Sequence, residues 1–178
     1  TSHSAAGRIL KETKVSANGR RADYWDGYGR RRAIRDTEIF TALLKRDEQG
    51  RIVEWKYLDD AGQPAATRDG VFVHRHLLRD RGTVAIMAFD AAGAPLETDD
   101  GEHAREDTLD DQGHLLESRY FDIHNEPTAL RPGYHRIRYI RDDLGRLSRR
   151  ITYDDRGNLV PSRRDGCAIK LYAYNERG

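Results

Sequence analysis

The chain has 178 residues, 37% hydrophobic and 34% charged, with a net charge of +1. That near-neutrality gives no general electrostatic case for nucleic acid or an anionic membrane as partner, and no apolar run approaches the roughly 18 residues of a membrane span. A mean hydropathy of −0.86 argues against one thick core and for a thin core shared among stacked elements.

Residues 1–6 carry no pattern. No initiator Met precedes Thr1, so the sequence reads as a processed or trimmed product. Residues 7–19 predict the first strand and turn of a degenerate unit, with turn glycines at Gly7 and Gly19. Arg20 to Thr37 carries about 11 residues more than the later period requires and is expected to add a loop or a short helix. Aromatics and arginines crowd there, at Tyr24, Trp25, Tyr28, Arg30, Arg31 and Arg32. Residues 1–37 therefore read as a degenerate repeat with an insertion or cap.

From Glu38 onward the chain repeats. A first turn glycine recurs at Gly7, Gly50, Gly82, Gly113, Gly145 and Gly178, at intervals of 43, 32, 31, 32 and 33 residues. A second series runs Gly19, Gly62, Gly93, Asn125 and Gly157, and a third Gly70, Gly101, Gly133 and Gly166. Asn125 is informative, because Asn best replaces Gly where φ must be positive. An Asp precedes the second turn at Asp59, Asp90, Asp122 and Asp154, suited to closing the turn with its own carboxylate. Pro64, Pro95 and Pro127 follow two residues past the turn and mark a strand start or an edge.

Four units result, 38–70, 71–101, 102–133 and 134–166, followed by a partial unit, 167–178. Each predicts strand, turn, strand, turn and a short third segment. The stretch Gly145 to Gly166 reads as a complete β-hairpin turning at Asp154–Gly157. Glu38 to Lys45 looks helical by propensity, but its equivalents alternate at period two, so strand is predicted. Glu102 to Asp111 predicts the weakest strand because it is so acidic. Stopping at a turn glycine, the sequence is expected to be a piece of a longer array. Charge is uneven: Glu97 to Asp111 holds eight acidic residues against one arginine, and Tyr134 to Arg150 six arginines against two aspartates.

The motif Ile151-Thr152-Tyr153-Asp154-Asp155-Arg156-Gly157-Asn158-Leu159 resembles the YD repeats of bacterial Rhs-type proteins, as do the turns at Asp142–Leu147 and Asp47–Ile52. The likeness covers about residues 38–178, although the period here is about 32 rather than about 20 and the Tyr is often replaced. It implies twisted β-hairpin sheets at a bacterial surface, hence an extracytoplasmic place in the periplasm or at the cell surface.

Chemistry is sparse. His74 and His76 share a strand face but no third metal ligand is visible, so no metal and no cofactor are expected. Cys167, the single cysteine, excludes an intrachain disulfide and is expected to be a small buried residue beside a turn. The aspartates are explained by turns, and every glycine by hairpins rather than a phosphate loop. An enzyme is not expected. Phased aromatics such as Trp55, Tyr57, Tyr120 and Tyr153 fit a thin core, and they also resemble choline- and glucan-binding repeats. The candidate binding residues are Tyr24, Trp25, Tyr28, Arg30, Arg31, Arg32, Trp55, Arg149 and Arg150.

The expected fold is all-β: tandem β-hairpin repeats of about 32 residues stacked into an elongated, curved sheet or solenoid. The expected function is a non-catalytic module for protein or glycan binding or scaffolding in a larger bacterial exported or surface protein, or else a structural spacer or shell.

Overall fold

The computed structural model describes residues 2–3, 9–16, 20–26, 28–79 and 82–175. The protein is all-β, with no α-helix among the described residues. The strands are β1 (Ser2–His3), β2 (Ile9–Val15), β3 (Arg21–Asp26), β4 (Thr41–Arg46), β5 (Ile52–Leu58), β6 (Val73–Leu78), β7 (Thr83–Phe89), β8 (Ala104–Leu109), β9 (Leu115–Phe121), β10 (Arg136–Arg141), β11 (Leu147–Tyr153) and β12 (Ile169–Leu171). Two compact units divide them, Thr1–His76 with Ala88–Leu96, and Leu77–Met87 with Glu97–Gly178. In the first, β1 to β6 pair antiparallel in sequence order. In the second, β7 to β12 do the same.

Two kinds of connection alternate. Short hairpin turns join β4 to β5, β8 to β9 and β10 to β11. In each an Asp accepts the N–H groups two and four residues on, as Asp142 does from Leu144 and Arg146. The register shifts by one residue at Lys45/Arg46, Thr108/Leu109 and Ile140/Arg141. Gly50, Gly113 and Gly145 take the positive φ such a bulged turn needs.

The other connection is longer and turns twice. Asp26, Asp59, Asp90, Asp122 and Asp154 each accept the N–H four residues on, at 2.7–3.0 Å. The chain then touches the strand it has left through one bridge, at Trp25↔Arg31, Leu58↔Pro64, Phe89↔Pro95, Phe121↔Pro127 and Tyr153↔Leu159. Gly145 to Gly166 is therefore not a complete hairpin. The hairpin partner of β11 is β10, and the return past Gly157 is a single bridge. In three copies the bridging residue is Pro, which has no N–H with which to extend a ladder.

After the bridge the chain becomes a strap. The straps contribute Ile34 and Ala65 to a first core with Tyr24, Ile39, Ala42 and Leu44. They contribute Leu130 and Val160 to a second core with Tyr120, Tyr134 and Ile137. Each sheet face is thus treated differently. The inner face buries aromatic and aliphatic side chains under straps, which supplies the second layer a sheet requires. In the second unit the straps also bond to each other, Arg131 N–H to the Asp100 carbonyl and Arg163 N–H to the Pro132 carbonyl, both at 2.7 Å.

Arg20 to Thr37, expected as a loop or short helix, is strand β3, an Asp26 turn and a strap. The turn was hidden because Asp26-Gly27-Tyr28-Gly29 lacks the Pro of its counterparts. The turns expected at Gly7, Gly19 and Gly178 lie outside the described residues. Glu38 to Lys45 holds strand β4, and the acidic stretch holds β8, whose Glu106 bonds Arg79 at 3.0 Å and whose buried Asp107 takes the Ser118 hydroxyl at 2.6 Å.

Asn125 sits at φ 63° in the place of glycine. Asn125→Gly should leave stability unchanged or slightly raised, whereas Asn125→Val should lower it by about 1–2 kcal/mol, the penalty of a left-handed residue with a Cβ branch. Urea unfolding measures both.

Candidate functional site

The carboxylates come first, because they would carry most chemistries. Hydrogen bonds within their own turns hold the pKa values of Asp47, Asp110, Asp122, Asp142 and Asp154 below the ordinary aspartate value. The leading donors are the side chains of Arg51, Arg146 and Asn158 and the backbones of His114 and Glu126. Lys170 does the same for Asp165. Glu102 alone among the described carboxyls is pushed up, by burial, against the opposing hydrogen bonds from Thr98 and its own backbone. Such carboxylates are committed to structure.

His74 and His76 share the inner face of β6, yet both face rings. The Tyr57 hydroxyl and His74 Nδ1 are 2.8 Å apart, and His76 stacks on Trp55 with centroids 6.4 Å apart. Burial pushes the Tyr57 hydroxyl up to about 12. No group of three metal-ligating side chains occurs among the described residues. Cys167 is exposed rather than buried. Its counterpart Tyr134 lies in the second core, whereas Cys167 precedes β12, which has a strand beside it on one side only.

The candidate binding residues scatter. In the first unit Tyr24 is 8% exposed and belongs to the core. Trp25 and Arg32 line a shallow cleft of about 520 Å³ together with Arg35. Tyr28 stands 71% exposed at the tip of the Asp26 turn. Arg30 is exposed, with its backbone N–H on Asp26. Arg31 is engaged within the sheet and its turn, bonding Asp60 at 2.6 Å and Thr41 at 3.0 Å, so it serves the fold. Trp55 packs against the first core.

In the second unit Arg149 and Arg150 occupy successive positions of β11 and so opposite faces. Arg149 points outward and is exposed. Arg150 turns inward, its guanidinium 5.4 Å from the Tyr134 ring and 3.9 Å from Asp165. Arg149 instead joins the outer face of β9 to β11, where the sequence reading missed Arg119, Arg136 and Arg138. Arg119 and Arg136 line an open cleft of about 440 Å³ with Phe121, Pro127, Arg156 and the aspartates Asp154 and Asp155. The signal was present in the arginine-rich span from Tyr134 to Arg150, but its direction depended on strand register.

No protein-family model and no curated protein matches the chain.

Two outcomes follow. Tyr57→Phe should lower stability by about 1 kcal/mol, one hydrogen bond's worth, in denaturant titration. The turn aspartates have depressed folded pKa values, so their stabilisation is complete above the unfolded aspartate value of about 4 and is lost as pH falls below it. Thermal unfolding followed from neutral pH to pH about 2 should show a flat midpoint that drops only below about pH 4.

Proposed function

We propose that the chain is a non-catalytic β-hairpin repeat module, of about 32 residues per copy, that serves as a protein-contact scaffold within a larger bacterial exported or surface protein. It is related in turn grammar to the YD repeats that it resembles. The observation that carries this reading is the placement of the rings. Tyr24, Tyr120 and Tyr134 are each at most 8% exposed, packed beneath the straps. A glycan-binding ladder needs flat rings open to solvent, and a reaction centre needs free carboxylates. Here the repeated Tyr supports the core and the repeated Asp supports the turn. The surface left for function is the outer sheet face and the turn tips.

Deletion tests the repeat. Removing residues 102–133, one whole unit, joins Gly101 to Tyr134 as Gly133 is joined now, so cooperative unfolding should survive. Removing residues 102–117 cuts mid-strand and should abolish it. Equal loss in both overturns the repeat reading. A glycan array completes the test, with no binding expected. Binding that is abolished by Trp25→Ala would move the function to glycan recognition.

A further inference from the structure

The outer face of β9, β10 and β11 carries an excess of positive charge that folding does not require. Register places its members. Arg119 lies opposite Arg136, Glu117 opposite Arg138, and Ile140 opposite Arg149. Four guanidiniums form a diagonal band across three strands. Glu117 bonds Arg119 at 2.6 Å and reaches Arg136 at 3.9 Å, so one carboxylate serves two cations. Glu106, opposite Arg119 on β8, bonds Arg79. Arg138 and Arg149 are exposed, and their guanidiniums make no hydrogen bond or ion pair with any described residue; nor does the guanidinium of Arg156 at the rim of the adjoining cleft.

Like charges directly opposite on a sheet are destabilising. The outer face of the first unit avoids them in its described pairs: Glu54 lies opposite Arg75, Lys56 opposite Val73 and Arg21 opposite Leu43. The second unit has the same fold and sets Arg119 opposite Arg136. The net charge of the whole chain is only +1, so the excess is local rather than general.

From this face we infer a docking surface for an acidic protein segment in extended conformation. Arg136 and Arg138 are two residues apart on one strand, hence about 7 Å apart. Carboxylates on one face of an extended peptide have that same spacing. Guanidinium forks donate bidentately to carboxylates, and Arg holds this geometry better than Lys. Beside the band, the cleft of about 440 Å³ offers Phe121 and Pro127 to an apolar side chain of the same segment. The assignment rests on the scaffold reading only in treating the chain as a contact surface.

The test uses the full chain and a fluorescent peptide of roughly ten residues alternating glutamate and threonine, long enough to cross the band. Anisotropy should report binding that weakens with salt. The double variant Arg138→Gln, Arg149→Gln, which places no like charge opposite Glu117, should lose roughly tenfold in affinity. Its circular dichroism and unfolding midpoint should not change, since neither side chain has a partner to lose. Arg68→Glu, an exposed arginine of the first unit, should bind as the parent does. No binding by the parent chain, or equal binding by the double variant, overturns the assignment. So does a sulfated polysaccharide that competes more strongly than the peptide at equal charge, which would mean the face reads anionic charge on a glycan. Failure here with intact unit-deletion behaviour leaves the scaffold reading standing, because the deletions report folding alone.

Discussion

The hydrogen bond from a backbone N–H to the carboxylate of an Asp four residues earlier governs much of this molecule. It recurs at Asp26, Asp59, Asp90, Asp122 and Asp154, each time at the end of a strand. The bond reverses the chain and aims it back across the sheet, so that the following residues become a strap. A single layer of strands cannot shield its own apolar face. The strap supplies that shield with one or two side chains per copy, among them Ile34, Ala65, Leu130 and Val160. A protein of such low mean hydropathy can fold because each core needs only a few residues.

The same geometry decides what the polar residues do. The turn hydrogen bonds of Asp47, Asp110, Asp122, Asp142 and Asp154 hold their pKa values below the ordinary aspartate value, so they stay ionised near neutrality. Arginines divide by face. Arg150, turned inward, lies against the Tyr134 ring and reaches Asp165, whereas Arg31 is held by Asp23, Asp60 and Thr41. Arg75 and Arg136 cap Phe89 and Tyr153 at 4.1 and 4.5 Å. Those left outward without partners, Arg138 and Arg149, are where a surface contact gains most, because an exposed cation with no intramolecular partner has nothing to give up on binding except hydration.

The turns were the most legible part of the chain. Asn125 was identified as a glycine substitute from spacing alone, and its φ is positive. Strand rather than helix within Glu38 to Lys45 followed from comparison with its counterparts against local propensity, and β4 begins there at Thr41. Two readings failed. Arg20 to Thr37 reads as an insertion because the glycine interval there is 43 residues rather than about 32, and Gly145 to Gly166 reads as one hairpin because a strand, an Asp turn and a second turn glycine follow in order. Local pattern cannot distinguish a strand from a strap that touches the sheet at one bridge, since both are extended and both bury alternate side chains.

What the sequence by itself determined was the class of fold and the place of its turns, because φ-positive positions and Asp-closed reversals are local and need no partner. It also determined which carboxylates close turns, since each is bonded by neighbours within five residues. What only tertiary structure decided was direction. Arg149 and Arg150 are adjacent in sequence and equal in chemistry, yet one packs on Tyr134 and the other faces solvent beside Arg138. Strand register, set by pairing with residues some ten to twenty positions away, assigns the face, and the face assigns the role.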